Sequence, residues 1–104
     1  MKPVVVLTTV GADYDSRALA RALVDLRLAA CVNVIDRVRS IYRWEGSVTE
    51  DNEQLLVIKT ADHRLAPLRE ELFRRHPNTV PEFVVLPIDE TSEGYGAWLL
   101  ESVS

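Results

Sequence analysis

The chain has 104 residues, of which 47% are hydrophobic and 27% charged, and its formal net charge is −4 at pH 7. This length and composition suit one domain with a hydrophobic core, so we expect a single domain over residues 1–104. The acidic balance argues against nucleic-acid binding, and no apolar stretch is long enough to cross a membrane. The single Cys31 cannot form an intrachain disulfide. We therefore expect a cytoplasmic protein with no membrane or nucleic-acid partner.

The first apolar run, Val4–Leu7, predicts a buried strand, and an amphipathic helix follows it. Asp15 or Ser16 is suited to cap this helix, because a short polar side chain can accept a hydrogen bond from its first turn. The residues that would form the buried stripe of the helix are Leu19, Leu23, Leu26 and Ala30.

Two long strand-like segments then flank the turn Glu45-Gly46. A period of two residues from Val32 onward predicts that the second strand has one mostly apolar face and one polar face. The mostly apolar face would comprise Val32, Val34, Asp36, Val38, Ser40, Tyr42 and Trp44. Arg37, Arg39 and Arg43 would form a basic stripe on the other face, for which exposure to solvent is the expected explanation. The return segment ends in the apolar run Leu55–Ile58, which predicts a third strand.

A second helix, a fourth strand and a last short helix complete the chain. The apolar stripe of the second helix comprises Leu65, Leu68, Leu72 and Phe73. Pro67 requires this helix to begin within a turn before it, and His76-Pro77 ends it. Phe83–Leu86 predicts the fourth strand, and the spacing of Tyr95, Trp98 and Leu99 predicts the C-terminal helix. The order predicts an α+β ferredoxin-like sandwich with a long hairpin and both main helices on one face of the sheet.

Two of the predicted strands are apolar on both faces, although helices would cover only one. Val4–Leu7 and Leu55–Ile58 place apolar side chains on the uncovered face as well. Another subunit is the simplest candidate to cover that face. The alternative is that short central strands are often apolar throughout.

The chain resembles the CutA family of divalent-cation tolerance proteins along essentially its whole length. The segments that carry the resemblance are Ala29-Ala30-Cys31-Val32-Asn33, Ser40-Ile41-Tyr42-Arg43-Trp44-Glu45-Gly46, Glu50-Asp51 with Glu53, Lys59-Thr60, His76-Pro77, Val80-Pro81-Glu82 and Tyr95-Gly96-Ala97-Trp98-Leu99. The resemblance implies a ferredoxin-like subunit in a homotrimer, with sheets packed inward and the long hairpin reaching a neighbour. It also implies an architecture similar to the PII signalling proteins, which bind small effectors between subunits.

The resemblance further implies a cleft between subunits. The matching residues are Tyr42, Trp44, Glu45, Glu53, Lys59 and Glu82. Because a charged Lys59 at the end of an apolar strand is costly to bury unpaired, Glu53 or Glu82 is its expected partner. These residues either hold the trimer together through an ion pair and aromatic packing, or bind a small anionic effector or a metal complex.

Copper or another divalent cation is the candidate cofactor that the family implies, and His76 is its candidate ligand. Capping the end of the second helix is the alternative role for this histidine. Thr8, Arg75 and Asn78 stand where relatives have a cysteine, a second histidine and a tyrosine. We expect Cys31 to pack in the core and His63 to be exposed.

Three functions are consistent with the sequence. The first is a trimeric divalent-cation tolerance protein with weak metal binding, the second a PII-like effector-binding module, and the third a purely structural trimeric protein. The chain has no nucleophile elbow, glycine-rich phosphate loop or metalloprotease spacing. We therefore expect that it is not an enzyme.

Overall fold

A computed structural model describes residues 1–104, and its elements follow the predicted order. The strands are β1 (Pro3–Gly11), β2 (Cys31–Trp44), β3 (Ser47–Ala61) and β4 (Val84–Pro87), and the helices are α1 (Ser16–Asp25), α2 (Leu65–Arg75) and α3 (Glu93–Ser102), with a 3-10 turn at Asp62–Arg64 before α2. All strand pairs are antiparallel, in the order β2-β3-β1-β4 across one sheet. The α+β class and the sequence of elements are therefore confirmed.

Helices α1 and α2 cover one face of the sheet and enclose the main core. Burial alternates along β1 and β3, because successive side chains of a strand point to opposite faces. The fully buried members of this core are Val6, Val10, Leu19, Leu23, Ala29, Leu56, Ile58, Leu68 and Leu72. The helices therefore bury the even-numbered residues of β1 and, from Gln54 to Thr60, those of β3.

Helix α1 is shorter than its apolar stripe predicts. Asp15 caps it by accepting a hydrogen bond from the Ala18 N–H, as predicted, but the helix ends at Asp25. The N–H groups of Arg27 and Leu28 donate to the carbonyls of Val24 and Leu23, the pattern of a Schellman motif. The prediction that Leu26 and Ala30 belong to the buried stripe of α1 was wrong. Leu26 is 51% exposed at the helix end, and Ala30 lies beyond the helix.

A β-bulge interrupts the long strand β2 and divides its predicted apolar face. Ile35 is opposite Leu55 and Val38 is opposite Glu53, so β2 has one more residue than β3 between these pairs. Before the bulge, Val32 and Val34 share a face with Ile58 and Leu56. After it, the even-numbered residues of β2 share a face with the odd-numbered residues of β3. The prediction of one continuous face from Val32 to Trp44 was therefore wrong, because the extra residue exchanges the two faces.

The hairpin of β2 and β3 extends beyond the rest of the sheet as a two-stranded arm, residues 39–52. The last pair that β1 forms with β3 is Gly11 with Glu53, so no third strand supports the arm. Glu45 and Gly46 have φ of 50° and 82° at its tip, which is the positive-φ pair of a two-residue hairpin turn. The arm makes the molecule elongated, with principal extents of 44 × 25 × 23 Å.

The sheet face opposite α1 and α2 is predominantly apolar and uncovered within the chain. We call its apolar residues, Val5, Leu7, Ile35, Leu55, Val57, Val84 and Leu86, the apolar sheet face. All of them are half-buried or exposed, and Ile35, Val84 and Leu86 are more than 40% exposed. Cys31 lies on the same side, opposite Lys59, so the prediction that it packs in the core was wrong.

Helix α3 closes one end of the sheet through a second, smaller core of Ala30, Ala61, Leu99 and Val103. Of the three residues whose spacing predicted this helix, only Leu99 is buried, while Tyr95 and Trp98 are exposed. Phe73 of α2 is likewise exposed and meets Phe83 edge-on. None of the three helices has the length and apolar character needed to span a membrane.

Candidate functional site

A groove lies between the arm and the loop that joins α2 to β4. We call it the arm groove; its volume is about 970 Å³. Four of the six predicted cleft residues line it: Tyr42, Trp44, Glu53 and Glu82. The bulge puts Tyr42 and Trp44 on the same face as Glu53, because it shifts the alternation of β2 by one residue. Loop residues Pro77–Glu82 form the opposite wall.

The hydroxyl of Tyr42 donates a hydrogen bond to the carboxylate of Asp51 within the arm groove. This hydrogen bond raises the pKa of Tyr42, and the charges of Asp51 and Glu53 add to the effect. The tyrosine therefore stays neutral at physiological pH and holds the Asp51 carboxylate against the arm.

The charge of the arm groove is negative. Three carboxylates line it, those of Asp51, Glu53 and Glu82, and no lysine, arginine or histidine does. Such a lining favours a cation over an anion. The sequence had suggested Lys59 as the charged group for an anionic effector, and this lysine is not among the residues that line the groove.

The two remaining predicted residues lie apart from the arm groove. Glu45 is at the exposed tip of the arm. Lys59 lies on the open side of the sheet, and its Nζ is 5.8 Å from the ring centroid of Tyr95. Neither Glu53 nor Glu82 forms an ion pair with Lys59 within the chain, contrary to the predicted pairing.

His76 is the C-cap of α2 and uses both ring nitrogens in hydrogen bonds. The backbone N–H of Asn78 donates to Nδ1 at 3.1 Å, and the carbonyl of Thr9 accepts from Nε2 at 2.7 Å. Because the Asn78 N–H can only donate and the Thr9 carbonyl can only accept, these contacts fit the tautomer that carries its proton on Nε2. The side chain is 7% exposed and joins β1 to the wall of the arm groove.

Known proteins are similar to this chain over nearly its whole length. The model of a family described as "CutA1 divalent ion tolerance protein" matches residues 4–102. The chain belongs to the CutA1 family. The divalent-cation tolerance protein CutA of Thermus thermophilus is 50% identical over 98 residues, which are 94% of this chain and 95% of that protein.

Solved structures of the CutA1 family have the same fold. A divalent cation tolerance protein from Thermus thermophilus superposes with a TM-score of 0.94 at 48% identity, over 98% of this chain and 99% of that one. A protein from Nostoc, described as a PII-like protein CutA in its apo form, gives a TM-score of 0.88 at 31% identity, over 100% of this chain and 98% of that one. The resemblance to CutA proteins predicted from the sequence is therefore confirmed, and the likeness extends to a PII-like neighbour.

The side chains of this chain do not by themselves fit a copper site. No three His, Cys, Asp or Glu side chains come together so as to hold a metal ion. Both nitrogens of His76 are occupied, and Cys31 lies beside Lys59, outside the arm groove. Thiolate and imidazole are the ligands that copper prefers, so the carboxylates of the arm groove are poor substitutes.

The sequence analysis did not identify Gln54, which fixes the loop between β1 and α1 in this CutA1 fold. Its buried side-chain amide donates to the carbonyls of Gly11 and Tyr14, and its oxygen accepts from the Ser16 hydroxyl. A polar residue at an inward-facing position of β3 is the signal that could have identified it. Gln54 thereby ties the start of α1 to the base of the arm.

Proposed function

We propose that this CutA1 family protein acts as a homotrimer in the cellular response to divalent cations, in the cytoplasm and without catalysing a reaction. The observation that carries the proposal is the apolar sheet face. Seven apolar residues from all four strands lie on a side that the chain itself leaves uncovered. Contiguous apolar surface of this kind marks an interface, and a copy of the same chain is the simplest partner.

The arm gives the proposal independent support. An isolated two-stranded ribbon is only marginally stable in water, and the arm has no third strand from residue 39 to residue 52. Tyr42 and Trp44 are both exposed on one of its faces. Packing of this face against a neighbouring subunit would stabilise the arm and turn the arm groove into a cleft between subunits.

Cation binding in this proposal is weak and uses carboxylates. Asp51, Glu53 and Glu82 face the arm groove without a compensating basic residue. A neighbouring subunit would supply the further ligands that one chain lacks. Because oxygen ligands alone bind copper less well than imidazole or thiolate, we expect loose association rather than a tight site.

The experiment that tests the proposal is native mass spectrometry with and without stoichiometric copper(II). We expect a trimer whose copper uptake is reduced in Glu53→Gln and Glu82→Gln but unchanged in Glu45→Gln, which removes a carboxylate outside the groove. A monomer would overturn the assembly. A trimer that takes up no copper would overturn metal binding and favour a structural role.

A PII-like effector module is the second candidate, and the similarity to the PII-like Nostoc protein favours it. In this alternative the intersubunit cleft binds a small anionic effector, for which Lys59 would have to approach the cleft in the trimer. A screen of small anions by thermal shift, with Lys59→Gln as the comparison, separates the two candidates. Stabilisation by an anion that depends on Lys59 would favour the effector module.

A further inference from the structure

The basic stripe of β2 is not used by the functions considered so far. Its three arginines are exposed to solvent, as predicted, but they do not form one row, because the bulge lies among them. Arg37 is within the bulge and has φ of 63°, while Arg39 follows it on β2 opposite Asn52. Both line a second groove at the base of the arm, whereas Arg43 lies further toward the tip and does not line it.

This second groove, the bulge groove, is lined by Ala12, Asp36, Arg37, Arg39, Asn52 and Gln54 and has a volume of about 600 Å³. Its base is held in place by Gln54, which is buried and bonded to the loop between β1 and α1. Asn52 and Gln54 are on the side of β3 that faces the helices. The bulge groove is therefore on the opposite side from the apolar sheet face, and packing of that face would leave it open.

The lining of the bulge groove has an excess of positive charge. Two guanidinium groups face one carboxylate, that of Asp36. Arg37 takes part in none of the ion pairs of the chain. Arg39 is 3.4 Å from Glu50, but both side chains are mostly exposed, so this pair binds the guanidinium only weakly. The lining thus carries a net charge of +1, two arginines against Asp36, in a chain whose net charge is −4, and Glu50 beside Arg39 lies outside the lining.

The backbone at Arg37 gives a second reason to assign a role to this site. A residue with a side chain is disfavoured at a positive φ, which glycine adopts without cost. An arginine at this position therefore costs stability. Strained backbone of this kind is concentrated at functional sites.

We propose that the bulge groove binds a small oxyanion of the phosphate type through Arg37 and Arg39. The planar guanidinium group donates two parallel hydrogen bonds to an oxyanion, and two such groups match its several oxygens. Asn52 opposite Arg39 adds an amide donor. This site shares only Asn52 with the arm groove, whose charged residues are all acidic.

The test is a titration with inorganic phosphate at constant ionic strength, followed by backbone amide chemical shifts in NMR spectra. We expect saturable shifts centred on Ala12, Arg37 and Arg39. Arg37→Gly is the informative variant, because it removes the guanidinium and relieves the strained φ together. It should fold at least as stably as the parent chain and bind phosphate about tenfold more weakly.

Arg43→Gln is the matched control, since it removes the same charge from the same strand outside the bulge groove. We expect it to bind phosphate as the parent does. Equal weakening in Arg43→Gln and Arg37→Gly would overturn the proposal, because general charge attraction would then explain the binding. Shifts that do not saturate in the parent chain would overturn it as well.

Discussion

Two threonines on neighbouring strands have opposite hydrogen-bonding states in the same core. Thr60 is buried, and its hydroxyl donates to the carbonyl of Leu28 at 2.7 Å. Thr8 is equally buried, but its hydroxyl has no partner. An unpaired buried hydroxyl costs stability, since it has lost its hydrogen bonds to water without replacing them.

Thr8→Val removes this unpaired hydroxyl with little change in shape. We expect the free energy of unfolding to rise by about 1 kcal/mol, measured by urea denaturation. Thr60→Val is the matched control and should lower it by about 1 kcal/mol, because a satisfied hydrogen bond is lost. A Thr8→Val protein that is less stable than the parent would show that the hydroxyl has a partner in solution.

Arg27→Gly tests the end of α1. Arg27 has φ of 59° in the Schellman motif, a position that glycine occupies without a steric penalty. We expect the variant to be more stable by about 1 kcal/mol in thermal or urea denaturation. Arg27→Ala separates the backbone from the side chain: it retains the strained φ, so an equal gain in Arg27→Ala would contradict the explanation.

The role of His76 illustrates what a sequence can and cannot indicate about one residue. Its position before Pro77 predicted the end of α2, and this is confirmed, because helix termination depends on neighbours in the chain. Its hydrogen bond to Thr9 connects residues 67 positions apart. No local pattern reports such a contact, so only the fold reveals that neither ring nitrogen is free for a metal.

Among the elements, those governed by local chemistry were predictable and the bulge was not. Asp15 as a helix cap and Glu45-Gly46 as a two-residue turn follow from short-range preferences, and both are confirmed. The bulge depends on how β2 pairs with β3, which a period counted along one strand does not contain. Asp36, a charged residue within the predicted apolar face, was the one local sign of it.

Helix α2 contains an ion-pair cluster that links stability to pH. Hydrogen bonds from Arg74, and then from Arg75, lower the pKa of Glu71 to about 2 from its ordinary value of 4.5. A carboxyl whose pKa is lowered by folding stabilises the fold above its unfolded pKa. This contribution is lost as the pH falls through the folded pKa.

Glu71→Gln should therefore be less stable than the parent at pH 7. The difference between the two proteins should shrink steadily as the pH falls from about 4.5 toward about 2, in urea denaturation at a series of pH values. Glu70→Gln is the control, because Glu70 forms no ion pair with any residue of the chain. If the difference in stability persisted unchanged at low pH, the packing of Glu71 rather than its charge would explain the effect.

At the scale of the molecule, the apolar sheet face and the arm are the two features that no other element of the chain covers or supports. The sequence indicated both features. An apolar run can be recognised within a single strand, and a long hairpin can be recognised from two adjacent strand-like segments and the turn between them. It brought only part of the site together correctly: Tyr42, Trp44, Glu53 and Glu82 meet in the arm groove, whereas Glu45 and Lys59 do not. Lys59 is six residues from Glu53 along β3, so an extended strand keeps them apart.

Trp44→Asp tests the packing of the arm in the proposed trimer. It places a carboxylate on the arm face that we expect a neighbouring subunit to cover, so monomers or aggregates should replace the trimer in native mass spectrometry and light scattering. Arg43→Asp places the same group on the opposite face and should leave the trimer intact. A soluble trimer of Trp44→Asp would show that this residue lies outside the interface.

The extra residue in β2 can be lost without changing which face of the arm each side chain occupies. Loss of a single codon, that of Arg37, would restore equal numbers of residues in β2 and β3 between the pairs Ile35–Leu55 and Val38–Glu53. Val38 would still pair with Glu53, two residues after Ile35 as in a regular strand, so every side chain from Val38 to Trp44 would keep its face. Trp44 fluorescence in a Trp98→Phe background should therefore keep its emission maximum, and a shift would show that the arm had turned over. The surface that the arm displays thus follows from its pairing with β3 and is robust to the loss of this one residue.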